Sequence, residues 1–213
     1  KNYILYIDLG YSKHRLGGSA YLQAMNMYQN LETPNFENPS RFAQIFKIIQ
    51  LLINNKTIVS CHDRSDGGLI TTILEMSIAG NLGVNINIVN NEDVYKYLFS
   101  EELGLVIETN KPNIVSSMLH KIVPVHKLGY VTEKKVINIT YNNYLLLSSS
   151  INFYRNIWMK FGYNMLEMHT NKKCVTSELH RTWEIPNHTI NFKHDDFTYA
   201  RIHKPLGQFT IGI

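Results

Sequence analysis

Cysteine is scarce in this chain: Cys61 and Cys174 are the only two in 213 residues. Two thiols cannot build a disulfide framework or a four-ligand metal site, and they suit a reducing compartment, the cytoplasm. No apolar run approaches the roughly 20 residues that a bilayer-spanning helix needs, so no membrane partner is expected. The opening Lys1-Asn2-Tyr3 lacks the architecture of a signal peptide and an initiator Met. It runs straight into a strand-like segment, and the chain is therefore expected to be a fragment. Long blocks of Lys or Arg are missing too. A formal charge of +4 and a pI near 8.9 are only mildly basic. The aromatic residues fall at core spacing, not between basic ones, so nucleic acid is not an expected partner.

What is present is ordinary for a globular protein, 44% hydrophobic and 18% charged. A chain of this length buries roughly 70% of its unfolded surface, enough for one large domain with or without an appendage.

Tyr3 to Leu9 is a nearly continuous apolar run closed by Gly10, the pattern of a strand buried on both faces. A polar loop leads to Leu16-Gly17-Gly18-Ser19, where Ser19 is expected to cap a helix from Ala20 to about Tyr28. Ser40 is expected to cap a second helix ending at Asn54, with Phe42, Ile45, Phe46, Ile49, Leu52 and Ile53 at helical spacing. A strand over Thr57 to Cys61, the loop His62 to Gly68 and a buried helix from Leu69 to Ala79 follow. Val84, Ile86 and Ile88 alternate with Asn85 and Asn87 as a half-buried strand. A short helix (93 to 99), a strand (105 to 109), a helix (113 to 122) and three closing strands between 126 and 147 complete the pattern. A long helix over 151 to 168 carries Gly162, which costs about 1 kcal/mol relative to Ala and permits a kink. Residues 172 to 208 are polar and weakly periodic and read as a linker; Phe209 to Ile213 reads as a strand that stops mid-element. The alternation predicts an α/β (α+β layered) architecture, a sheet covered by helices.

The densest chemical signal is His62-Asp63-Arg64-Ser65-Asp66-Gly67-Gly68, between a strand and a helix. Free N–H groups and the positive end of a helix dipole favour anions there. A phosphate and an Asp would repel each other without an intervening cation. Mg²⁺ fits, because it takes oxygen ligands and is commonly shared between one or two carboxylates and substrate phosphates. Ser65 can donate to a phosphate oxygen, and Gly67 and Gly68 permit positive φ and close approach. The same residues allow a purely structural reading, in which Asp66 or Ser65 caps the helix and Asp63 pairs with Arg64. The motif lacks the Lys and the spacing of a Walker A loop.

HDRSDGG, the helix LITTILEMSIA and Gly80-Asn81-Leu82-Gly83 together are similar to a stretch of the large phosphoribosylformylglycinamidine synthases. So are Ile7-Asp8-Leu9-Gly10, Arg15-Leu16-Gly17-Gly18-Ser19-Ala20 and Leu98-Phe99-Ser100-Glu101-Glu102-Leu103-Gly104, in the family's order and spacing. The resemblance implies an aminoimidazole-ribonucleotide-synthetase-like C-terminal domain, with a mixed sheet covered by helices, over residues 1–171. It implies an ATP- and glutamine-dependent C–N ligase that converts formylglycinamide ribonucleotide to the formylglycinamidine ribonucleotide in purine biosynthesis. In that family an auxiliary nucleotide, ATP or ADP, is held with Mg²⁺. By resemblance Asp63 is a magnesium ligand and Ser65 a nucleotide contact, with His62, Arg64, Asp66, Gly67 and Gly68 in supporting roles and no catalytic residue assigned. The implied partners are formylglycinamide ribonucleotide and ATP, shared with an N-terminal synthetase half before Lys1. A glutaminase domain in cis would begin at residues 209–213, after the linker 172–208. Rival readings are another ATP-dependent superfamily member, aminoimidazole ribonucleotide or selenophosphate synthetase, or a non-catalytic structural remnant.

Other features favour structural roles. Cys61 reads as core packing. Lys13, His14 and Arg15 read as a solvated loop more readily than as a phosphate site. Glu101-Glu102 reads as a turn, since adjacent side chains point different ways. His188, His194 and His203 lack zinc-ligand spacing.

Overall fold

The computed structural model describes residues 1–27 and 31–181, in two compact units that meet in sequence at Phe161/Gly162. The linker expected over 172–208 thus lies mostly, and the strand expected over 209–213 entirely, outside the described residues.

In the first unit, seven strands form one mixed sheet in the order β2-β4-β1-β5-β3-β6-β7. They are β1 (Tyr3–Asp8), β2 (Ile58–Asp63), β3 (Gly83–Ile88), β4 (Gly104–Thr109), β5 (Val125–Thr132), β6 (Val136–Tyr141) and β7 (Tyr144–Ser150). Every pairing is antiparallel except β3 with β6. Helices α1 (Ala20–Ala24), α2 (Pro39–Asn54), α3 (Gly68–Gly80), α4 (Val94–Phe99) and α5 (Pro112–Leu119) cover it, and α6 (Ile151–His169) begins where β7 ends.

Strand β1 is central, and its alternation builds a core on each face of the sheet. Ile4 and Tyr6 join Val106, Leu69 and Ile73 of α3, Leu98 of α4 and Ile151 of α6. Leu5 and Ile7 join Ile107, Ile45, Ile49 and Leu52 of α2, and Val115 and Leu119 of α5. Each such fully buried aliphatic side chain contributes about 1.5–3 kcal/mol relative to an exposed one. The layered sheet expected from the sequence is the observed architecture.

Local starts differ from expectation where a better cap exists. Asn38, not Ser40, caps α2: its Oδ1 accepts from Arg41 N at 3.0 Å, and Pro39 takes the first helical position. Helix α1 is capped by Ser19 as expected but stops at Ala24. Strand β2 runs through His62 and Asp63, so these two residues are strand, not loop. Cys61 is exposed, not core, because β2 is an edge strand of the described sheet. Helix α6 continues through Gly162 without a break.

The second unit comprises the rest of α6 and helix α7 (Lys172–Arg181), which the sequence reading placed in the linker. Asn171 caps α7, accepting from Lys173 N at 2.9 Å, and Val175 is its buried residue.

Candidate functional site

Asp63 is the last residue of β2, opposite Leu105, and its side chain is 71% exposed. His62 beside it bridges two carboxylates: Nδ1 lies 3.3 Å from Asp63 Oδ1, and Nε2 lies 3.1 Å from Glu75 Oε2 on α3. Glu75 was invisible as a neighbour in the sequence, where twelve positions separate it from Asp63; the return of α3 across the sheet brings it near. Ser65 and Asp66 are exposed in the turn that follows. Neither caps α3, whose N-cap is Gly67 and which has no side-chain cap.

Arg64 does not join this group. It is 4% exposed and points into the core. Nη1 donates to the Tyr6 hydroxyl at 2.5 Å, and Nη2 donates to the Tyr97 carbonyl at 2.9 Å and the Ser100 hydroxyl at 2.6 Å. The Tyr6 hydroxyl in turn donates to Asp8, whose carboxylate also accepts from Gly10 N and Ser12 N at 3.0 and 2.7 Å. Burial drives the Tyr6 phenol well above its ordinary value, with the Arg64 charge opposing. The structural alternative for HDRSDGG fails on both counts: Asp63 does not pair with Arg64, and neither Asp66 nor Ser65 caps the helix.

The glycines hold the turn by geometry. Gly67 and Gly68 sit at φ +82° and +74°, and a Cβ on Gly68 would come within 2.6 Å of the Leu98 carbonyl oxygen. Their amides face inward. Gly67 N donates to Glu101 Oε1 at 2.8 Å, and Gly68 N donates to the Ser65 carbonyl at 3.0 Å. Ala20 N, at the start of α1, reaches the same Glu101 oxygen at 2.8 Å. One carboxylate therefore closes the amino ends of two helices, and the expected anion position over α3 is partly filled from within. Arg64, Gly67 and Gly68 are thus tied by hydrogen bonds within the core and the turn.

Next along the chain, Glu102 is fully buried and clamps Arg15 through Nε at 2.6 Å and Nη2 at 2.8 Å. That hydrogen bond raises the Arg15 guanidinium above its ordinary value. The loop of Lys13, His14 and Arg15 is consequently not a freely solvated one. Lys13 and Arg15 both pair with Glu37, and His14 packs against Tyr97 at 4.9 Å.

The exposed group is thus Asp63, Ser65 and Asp66, with His62 and Glu75 behind. These are hard oxygen donors with no Lys or Arg paired to Asp63 among the described residues. Such a set suits Mg²⁺ in one-carboxylate coordination, completed by water and phosphate oxygens. No three His, Cys, Asp or Glu side chains converge into a complete cage among the described residues. A 310 Å³ cavity opens beside Asp63, walled by Phe42, Phe46, Ile49 and Ile53 of α2 and by Leu103 and Leu105.

Residues 3–142 match the family model described as AIR synthase related protein, C-terminal domain. Over 197 residues the chain is 32% identical to a probable chloroplastic/mitochondrial phosphoribosylformylglycinamidine synthase of Arabidopsis thaliana, covering 90% of this chain and 13% of that protein. Over 185 residues it is 30% identical to the human phosphoribosylformylglycinamidine synthase, covering 84% of this chain and 14% of that one. Among solved structures it resembles Thermotoga maritima PurL complexed with FGAR, with a TM-score of 0.57 and 15% identity over 71% of this chain and 27% of that one. The same protein complexed with ATP gives 0.55 and 14% over 71% and 25%. The chain spans about an eighth of the curated relatives.

Proposed function

The chain belongs to the family of AIR synthase related proteins, C-terminal domain, and on that premise we propose that it is part of an ATP- and glutamine-dependent ligase of purine biosynthesis. The reaction converts formylglycinamide ribonucleotide to formylglycinamidine ribonucleotide, and this chain contributes half of a Mg²⁺–nucleotide site. The names of the curated relatives support the reaction, and the nucleotide in the T. maritima complex supports the ligand class.

The observation that carries the reading is the exposed carboxylate of Asp63 at the end of β2, beside a cavity and unpaired with Arg64. Asp63 would hold Mg²⁺, which neutralises charge between the carboxylate and a nucleotide phosphate. The Ser65 hydroxyl would donate to a phosphate oxygen. His62, held between Asp63 and Glu75, would orient the metal-binding carboxylate. Glu101 and Arg64 keep the turn rigid, so the exposed oxygens stay in place. The remaining metal ligands, the acceptor ribonucleotide and the ammonia source would come from outside these residues. The chain alone would then bind nucleotide weakly and turn nothing over. The two unpaired cysteines suit a reducing compartment such as the cytoplasm.

Isothermal titration of the 213-residue chain with MgADP tests this, with Asp63→Ala and Ser65→Ala alongside. Saturable binding, weakened about tenfold or more by Asp63→Ala and less by Ser65→Ala, supports the reading. Equal binding by wild type and Asp63→Ala rejects the site.

A further inference from the structure

Two side chains of α3 reach the end of β2 from one face of the helix. Thr72 and Glu75 are three positions apart, which makes them neighbours on that face. The buried Thr72 hydroxyl lies 3.3 Å from the Asp63 main-chain oxygen and 3.1 Å from that of Gly68. Glu75 Oε2 lies 3.1 Å from the far nitrogen of His62, Nε2. The near nitrogen, Nδ1, meets Asp63 twice, at its main-chain oxygen (2.7 Å) and at Oδ1 of its carboxylate (3.3 Å). An imidazole met by oxygens at both nitrogens is held at both ends.

The two carboxylate oxygens of Asp63 are therefore not equivalent. Oδ1 has the imidazole against it, and Oδ2 has no protein partner among the described residues. That difference bears on which cation the carboxylate takes. Ca²⁺ collects roughly six to eight oxygens in a flexible geometry and accepts both oxygens of one carboxylate. Mg²⁺ demands near-ideal octahedral geometry and keeps several waters, so one carboxylate oxygen is enough for it.

We propose that Glu75 and His62 set metal selectivity at Asp63: Glu75 anchors the imidazole, the imidazole keeps Oδ1 occupied, and a cation is offered Oδ2 alone. This disfavours Ca²⁺ relative to Mg²⁺. The inference rests on the reading of Asp63 as the metal ligand. Glu75 and His62 act through Asp63 and are positioning residues, conveying the placement of α3 to the end of β2. The charge of Glu75 attracts either divalent cation alike, so its anchoring role shows in the ratio of their affinities.

The test loads the 213-residue chain with Mn²⁺ and ADP, then displaces the bound Mn²⁺ with Mg²⁺ or Ca²⁺ under electron paramagnetic resonance. The readout is the ratio of the Ca²⁺ to the Mg²⁺ concentration that releases half of it. The same ADP is present throughout, so the nucleotide's own metal preference cancels between variants. Wild type is expected to need more Ca²⁺ than Mg²⁺. His62→Ala and Glu75→Ala should each lower the ratio about tenfold, the lower end of what changes behind a metal ligand do to affinity. Both side chains are about a third exposed, at 30% and 33%, so these variants should fold. Glu75→Gln keeps an oxygen acceptor for Nε2 and should hold the wild-type ratio within about twofold. Equal ratios in wild type and both alanine variants overturn the proposal and leave Asp63 as the ligand. A fall in Glu75→Gln as large as in Glu75→Ala also overturns it, since charge and not anchoring would then act. Mn²⁺ binding that is absent, or that Asp63→Asn leaves unchanged, overturns the reading of Asp63 itself and this proposal with it.

Discussion

The guanidinium of Arg64 lies over the ring of Tyr6, 5.3 Å from its centroid, and donates to that ring's hydroxyl. The motif's cation is thereby committed to the core, and the preceding carboxylate, Asp63, is left to solvent. Removing one partner from a buried charged network costs about 3–5 kcal/mol. Arg64→Ala should lower unfolding free energy by that amount, whereas Asp63→Ala, at an exposed position, should stay within about 0.5 kcal/mol. Urea titrations of both variants measure the contrast, and equal costs would mean that the two side chains share one role.

Glu101 and Glu102 are adjacent but hold different things, and truncation should separate them. Glu102→Ala strands the 8% exposed Arg15 side chain and should cost about 3–5 kcal/mol. Glu101→Ala removes a shared acceptor at the starts of α1 and α3 and should cost about 1–2 kcal/mol. Thermal melts that reverse this order would refute the assignments.

Acid should weaken the fold through His14. Burial, with the Arg64 charge in second place, lowers this imidazole below its ordinary value. The folded state therefore favours neutral His14. Its contribution is complete above about pH 6.5 and drains away as pH falls from there toward the lowered value. His14→Phe keeps the packing on Tyr97 and should flatten the acid limb of stability against pH; an unchanged limb would exclude His14 as its source.

Much of this organisation was legible in the sequence, for reasons that also mark its limits. β1 announced itself because both faces are apolar, and α2 because its apolar stripe keeps helical period. The direction of Arg64 was not legible, since nothing local distinguishes a guanidinium facing solvent from one met by Tyr6, Tyr97 and Ser100. Glu101 joins residues 20 and 67, a coincidence that only the folded chain creates. Cys61 was misread because an apolar strand residue is core in a central strand and exposed at an edge. α7 escaped notice because it buries only Val175 among its described residues, leaving no stripe to read.

Alkali should act through the tyrosines of the same network. The Tyr97 phenol is pushed up to about 12, first by burial and then by the Asp8 charge. A raised phenol stabilises the fold up to about pH 10, and this contribution is lost as pH climbs from there toward 12. Tyr97→Phe should match wild type at neutral pH and lose less stability between these limits. Loss of stability equal to that of wild type would show that Tyr97 does not titrate with unfolding.

The central claim is that Asp63 carries a divalent cation together with a nucleotide. Electron paramagnetic resonance of Mn²⁺ with ADP, added to wild type and to Asp63→Asn, tests it without reference to turnover. The account predicts that wild type depletes the free-ion signal only when ADP is present, and that Asp63→Asn leaves it at the protein-free level. Equal depletion by both proteins would contradict it.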